Sequence, residues 1–269
     1  MTSLADPNLV EKLIPVALEA SRAVMEVFNS EFDVLEKSDK SPVTEADQRG
    51  EVILEAGIKA ILPEVQIIGE EAISDGAKPT VLEDTFFLLD PLDGTKEFIK
   101  RGTDFTVNIG LIENGQPVLG IVVAPARGIL WAGAKGHGAF KAETDLSSIT
   151  NKVDITVRSA ADPLTIVASK SHRSEELETW LSNYPDAENI SCGSSLKLVM
   201  VAEGSADLYP RIGPTCEWDT AAADAILRAA GGMTETGDGA PLGYGKNVTT
   251  FLNPYFLCKG DTGLTTPGF

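Results

Sequence analysis

Apolar residues recur at helical spacing over residues 7–29, where Leu9, Leu13, Val16, Ala17, Ala20, Val24 and Phe28 share one side. This pattern predicts a long amphipathic helix. Residues 32–37 predict a short strand, and Ser38, Asp39, Lys40, Ser41 and Pro42 form a polar breaker. Val52, Ile53, Ala56, Ile58 and Ile61 predict a second amphipathic helix over 46–62. Two short apolar runs of strand length follow, at 65–69 and 85–90, separated by a polar, glycine-containing surface loop over 72–83. Both runs stop at acids, Glu70-Glu71 and Asp90 with Asp93.

From Phe105 the pattern changes to antiparallel strands. Runs at 105–112, 118–123 and 129–134 are separated by turns at 113–116 and at Gly128, and residues 136–140 close the meander. The polar stretch 144–152 reads as a connector, with a domain boundary near it that divides the chain into 1–150 and 151–269. Beyond it strands at 164–169, 187–192, 206–209 and 232–235 alternate with helices at 174–181, 195–203 and 219–230, the mark of an α/β domain. There is no internal repeat and no low-complexity segment.

Composition narrows the function more than the fold. The 269 residues carry a net charge of −18, which repels nucleic acid and anionic membranes. The same charge repels a phosphate ester, so a phosphate-binding chain of this kind needs bound cations or a local basic pocket. No stretch has the length of apolar sequence that spans a membrane, and the polar, acidic N-terminal residues do not form a signal peptide. Cys192, Cys216 and Cys258 follow no metal-type spacing and are expected to be free structural thiols in a reducing, cytoplasmic compartment, with a peripheral place at the inner membrane face left open. His137 and His172, the only histidines, are expected to be exposed or capping residues.

The chemistry is concentrated around Asp90-Pro91-Leu92-Asp93-Gly94-Thr95. Adjacent carboxylates repel, and each is costly to desolvate unless a cation holds it. An oxygen-rich set of this kind suits Mg²⁺. A helix opening at Thr95 would present backbone N–H groups to a phosphate. Asp47 and Asp219 also stand at helix starts; locally Thr44 or Asp47 equally caps the second helix, and Asp219 equally caps the alanine-rich one. Trp218 before and Ala221, Ala222 and Ala223 after Asp219 point to close packing beneath a site.

Glu70-Glu71, the run 90–95, and Trp218-Asp219-Thr220-Ala221-Ala222 resemble, in order and spacing, the three signature motifs of the inositol monophosphatase superfamily of Mg²⁺-dependent, Li⁺-sensitive phosphatases. The resemblance covers nearly the whole chain. Within that superfamily, Asp93-Gly94-Thr95-Lys96-Glu97-Phe98-Ile99, Phe105-Thr106-Val107-Asn108-Ile109, Gly193-Ser194-Ser195-Leu196-Lys197 and Leu208-Tyr209-Pro210-Arg211 are similar to the CysQ-type bisphosphate nucleotidases. Inositol monophosphatases usually carry Asn-Phe where this chain has Glu97-Phe98, which ranks the nucleotidase first.

The resemblance implies an α/β fold of the αβαβα sandwich type, with α+β layering, and a monomer or homodimer acting on a small phosphate substrate without nucleic acid or an integral membrane segment. It implies two or three Mg²⁺ ions. Glu70, Asp90 and the carbonyl of Leu92 would hold the first, Asp90, Asp93 and Asp219 the second, and Glu71 would support a further ion or an ordered water. Asp47 and Thr95 would orient and deprotonate the attacking water, and the N–H groups of Gly94 and Thr95 would hold the phosphate. Lys197 and Arg211 are the candidates for a second phosphate, because so acidic a chain needs a local cation there. Ser194 and Ser195 either reach ribose or base or cap the helix that follows. The implied reaction is hydrolysis of adenosine 3′,5′-bisphosphate to AMP and phosphate, in sulfur assimilation. An inositol or sugar monophosphatase and a non-catalytic Mg²⁺ or nucleotide sensor are the alternatives.

Overall fold

A computed structural model describes residues 3–37, 42–77, 79–169 and 174–268. The chain begins with helix α1 (Pro7–Phe28), a two-stranded antiparallel ribbon of β1 (Val34–Glu36) and β2 (Pro42–Thr44), and helix α2 (Glu45–Ile61). There follow β3 (Gln66–Gly69), the short helix α3 (Glu70–Ser74), β4 (Thr85–Asp93) and the short helix α4 (Thr95–Ile99). The meander is β5 (Thr106–Glu113), β6 (Gln116–Ala124), β7 (Ile129–Ala134), β8 (Gly138–Thr144) and β9 (Ile149–Ile155). The last part runs β10 (Thr165–Ser169), α5 (Glu175–Leu181), β11 (Glu188–Cys192), α6 (Leu196–Ala202), β12 (Leu208–Arg211), α7 (Trp218–Ala229), β13 (Met233–Thr236) and β14 (Phe256–Lys259).

β3 to β9 form a seven-stranded sheet in chain order, and a five-stranded sheet has the order β11-β10-β12-β14-β13. Strand β4 shows why the sequence builds layers. Its alternate residues Phe87 and Leu89 join the apolar cluster under α1 and α2, while Phe86 and Leu88 join the one between the two sheets. A strand covered on both faces reads as one continuous apolar run. In the middle layer, Val199 of α6 and Ile226 and Leu227 of α7 pack with Tyr209, Phe256 and Cys258 of the second sheet. Leu177, Trp180 and Leu181 of α5 cover its other face over Ile166, Leu208 and Leu257. The result is the expected αβαβα sandwich.

Helix α7 lies unusually close to the first sheet. Gly110, Gly120 and Gly133 are cross-strand neighbours on β5, β6 and β7. A Cβ on Gly120 would stand 1.9 Å from the carbonyl oxygen of Ala222, and one on Gly110 2.7 Å from the Ala221 methyl. The small residues of helix and sheet therefore form one contact in which backbones nearly touch, the close packing that the alanines of α7 predict.

Three expectations need correction, and one strand was not anticipated. The stretch 144–152 is not a connector: β9 pairs antiparallel with β8 and extends the first sheet to Ile155. Its exposed polar residues, an edge strand's usual composition, hid it. Strand β14, a buried four-residue run too short to show a period, inserts between β12 and β13. The 72–83 loop begins as the end of α3. Finally, β4 does not stop at Asp90 but continues to Asp93 through a break in register. Of the breaker at 38–42, residues 38–41 lie outside the described residues, as does His172, while Pro42 opens β2; His137 is exposed in the β7–β8 turn.

Candidate active site

The break in β4 is the local device that makes the site. Asp90 pairs with Asn108 and Asp93 with Thr106, so Pro91 and Leu92 together face a single residue of β5. In a regular strand, residues three apart point to opposite faces; one extra residue returns them to the same face. Gly94 then takes φ 97°, and a Cβ there would meet the carbonyl oxygen of Asp104 at 2.7 Å, so glycine is required at the turn into α4.

Four carboxylates come within electrostatic reach. Asp90 is almost fully buried, and desolvation first, then the charges of Glu70, Asp93 and Asp219, drive its pKa well above the usual aspartate range. Burial and then Asp93 and Glu70 raise Asp219 in the same way. Desolvation also raises Glu70 despite Lys37 beside it, and lifts Glu71 to about 7. Each acid is held through one oxygen. The Leu92 N–H donates to Asp90 Oδ1 at 3.0 Å, the Cys216 N–H to Asp219 Oδ2 at 2.9 Å, and Lys37 Nζ to Glu70 Oε1 at 2.8 Å. Ser194 Oγ and Ser195 Oγ both donate to Asp93 Oδ2 at 2.9 Å.

Asp47 has two functions at once. Its Oδ2 accepts from the Thr44 N–H at 2.7 Å and from Thr44 Oγ1 at 2.8 Å, capping α2. Its Oδ1 accepts from Thr95 Oγ1 at 3.3 Å, and Thr95 Oγ1 also lies 3.2 Å from the Leu92 carbonyl. The cap and the approach to the acid cluster, alternatives in the sequence, are both present. Burial raises the pKa of Asp47, against the lowering effect of its bonds from Thr44.

A cleft of about 470 Å³ adjoins these groups. Glu70, Asp93, Gly94, Thr95 and Asp219 line it together with Ser194, Lys197, Tyr209 and Arg211. Asp219 lies inside the first turn of α7 rather than capping it. Neither serine caps α6 through its side chain: Ser195 is buried between Asp93, the Asp219 carbonyl at 2.8 Å and Asn108 Nδ2 at 3.0 Å. Ser194 is shared between Asp93 and Thr106 Oγ1 at 2.5 Å. Lys197 Nζ donates to the Ser194 carbonyl at 2.5 Å and lies over the Tyr209 ring, and its burial lowers its pKa. Arg211 Nη2 donates to the Pro214 carbonyl at 2.6 Å, while its buried Nε has no hydrogen-bond partner.

Three supporting residues escaped the sequence reading. Glu51 accepts from the N–H groups of Glu71 at 2.8 Å and Ala72 at 2.7 Å, supplying α3 with the cap that Gly69 lacks. Its place one turn after Asp47 on the same face of α2 was a usable signal. Lys37, a lone cation at a strand end, and Asn108, on an otherwise apolar strand, are the others.

The donors are all oxygen, and their mutual repulsion calls for positive charge, so the set fits hard divalent cations. Among the described residues no three acidic, His or Cys side chains close tightly enough to enclose an ion as they stand.

The raised pKa of Glu71 has a testable sign. A carboxyl whose folded pKa lies above its unfolded one favours the fold at low pH and loses that contribution as pH rises toward about 7. The metal-free protein should therefore melt higher at pH 5.5 than at pH 8. At pH 8, MgCl₂ at about a hundred times its dissociation constant should restore roughly 2.7 kcal/mol, or about 5–10 °C. Thermal melts with and without EDTA check this; a metal-free melting temperature that is flat over this range would refute it.

The model of the inositol monophosphatase family matches residues 7–258, and the chain belongs to that family of α/β layered proteins. It is 41% identical over 250 residues to the 3′(2′),5′-bisphosphate nucleotidase CysQ of Escherichia coli, covering 92% of this chain and 98% of that one. The crystal structure of CysQ from Bacteroides thetaiotaomicron superposes with a TM-score of 0.79 at 36% identity, covering 96% of this chain and 99% of that one. An inositol monophosphatase from Zymomonas mobilis superposes with a TM-score of 0.74 at 25% identity, covering 96% of each chain.

Proposed function

We propose that the protein is a Mg²⁺-dependent 3′(2′),5′-bisphosphate nucleotidase that converts adenosine 3′,5′-bisphosphate to AMP and phosphate. The observation that carries the reading is that two buried cations, Lys197 and Arg211, line the same cleft as the acid cluster. A monophosphate on the acids needs no such pair; a ligand with a second phosphate does. The greater identity to the nucleotidases than to the inositol monophosphatase supports the same choice. Sulfur assimilation, Li⁺ sensitivity and a cytoplasmic setting belong to this reading.

Glu70, Asp90 and the Leu92 carbonyl would hold one Mg²⁺, and Asp90, Asp93 and Asp219 another, with Glu71 beside them. When bound, the ions would supply Lewis-acid activation of water and neutralise phosphoryl charge. The chain's own residues do the rest. The Thr95 hydroxyl, held by Asp47, orients the attacking water, and the proton passes through it to the Asp47 carboxylate, a base that threonine alone cannot be. The Gly94 and Thr95 N–H groups receive the phosphoryl oxygens. Ser194 and Ser195 keep Asp93 in position, and Ser194 remains open to the ribose from the cleft wall.

A substrate panel tests the reading. Adenosine 3′,5′-bisphosphate should turn over faster than inositol 1-phosphate; the reverse order would make the chain a monophosphatase, and Mg²⁺-dependent binding without phosphate release would make it a sensor. Arg211→Ala should raise KM for the bisphosphate about ten- to a hundredfold, the loss of roughly 1.5–3 kcal/mol from one charge-assisted contact. KM for a monophosphate should change far less. Equal losses on both would mean that Arg211 serves only to hold Pro214.

A further inference from the structure

Lys37 stands beside the acid cluster, and the proposed chemistry does not use it. It directly follows the exposed strand β1, yet its side chain is only 7% exposed. Its Nζ bridges Glu70 Oε1 at 2.8 Å and Glu71 Oε1 at 2.6 Å, and its charge acts on Asp47 as well. A lysine buried at this depth loses hydration and side-chain freedom, and it persists only where its partners compensate. Here both partners are glutamates that burial alone would drive toward the neutral form.

We propose that the Lys37 ammonium is a tethered internal counter-cation, which neutralises Glu70 and Glu71 before metal arrives and competes with Mg²⁺ for Glu70. The inference rests on the metal role of Glu70 proposed above. The observation behind the competition is that the ammonium sits on Oε1 of the very carboxylate expected to bind the first ion. A lysine is suited to this role, because its point charge on a flexible stem can leave Glu70 while keeping Glu71. It is a positioning residue: it sets the occupancy of the site and touches no reacting atom.

Lys37→Met keeps the apolar stem and removes the charge, and Lys37→Arg keeps the charge. In EDTA at pH 8, Lys37→Met should melt about 5–10 °C below wild type, because two buried carboxylates lose their common partner. Calorimetric titration with MgCl₂ should show the opposite sign, a dissociation constant lowered on the order of tenfold, since no ammonium has to be displaced and the site is one charge more negative. Lys37→Arg should restore most of the metal-free stability. A Lys37→Met protein with unchanged metal-free melting, or with unchanged or weaker Mg²⁺ affinity, overturns the proposal. If Mg²⁺ binds neither wild type nor variant, it is the metal reading that fails, and the competition falls with it.

Discussion

Asp90→Asn should lower phosphate release by about a thousandfold or more while leaving the metal-free protein as stable as wild type or more so. Asp90 is the acid expected to serve both ions, and metal-based charge stabilisation is worth several kcal/mol, of which about 4 kcal/mol equals a thousandfold. The amide oxygen can still accept the 3.0 Å bond from the Leu92 N–H, so the bulge in β4 has no reason to relax. What disappears is a buried charge facing Glu70, Asp93 and Asp219. Removing it relieves repulsion among these acids. Turnover and EDTA melts of the pure variant are the measurements. Near-normal turnover would exclude Asp90 from the site, and a large loss of metal-free stability would mean that its charge serves the fold.

Asp47→Asn should reduce kcat by about a hundred- to ten-thousandfold with little change in KM, the usual range for losing a positioned general base. Asparagine can keep its oxygen on the Thr44 N–H and so preserve the cap of α2, but it cannot take a proton from Thr95. Thr95→Ala should cause a loss of similar size, and the double variant should be scarcely worse than either single one, because the two residues act as one unit. Thr95→Ser, which retains the hydroxyl, should recover most of the rate. Additive losses in the double variant would show that Asp47 and Thr95 work separately, with Asp47 acting through the β2–α2 cap alone.

Much of this was legible in the sequence because it is local. Helices α1 and α2 follow from apolar spacing, β4 from its run of large apolar residues, and the acid stations from strands that end in charge. The elements that escaped obey non-local rules. β9 is a polar edge that becomes a strand only because β8 offers it hydrogen bonds, and β14 is defined by its two neighbours. Within the site, Asp47, Glu70, Asp90, Asp93 and Asp219 were readable as acids in revealing places. The tasks of Ser194 and Ser195 were not, because their partner Asp93 lies about a hundred residues away in the chain. Lys37 escaped for the same reason: its partners Glu70 and Glu71 stand on another element.

The row of glycines beneath α7 gives this protein a mutational vulnerability far from its chemistry. Asp219 rides on the first turn of that helix, and the bearing surface under the next residues is bare backbone at Gly110 and Gly120. A single methyl group added at Gly120 would have to lift the helix off its seat, and Asp219 would move with it relative to Asp90 and Asp93. A displacement of about 1 Å in such a constellation can cost about a hundredfold in rate. Variants at these glycines, which lie outside the cleft, should therefore lose stability through overpacking and activity through displacement of Asp219 together. Natural variation should consequently be narrower in the middle of this sheet than over much of the cleft wall.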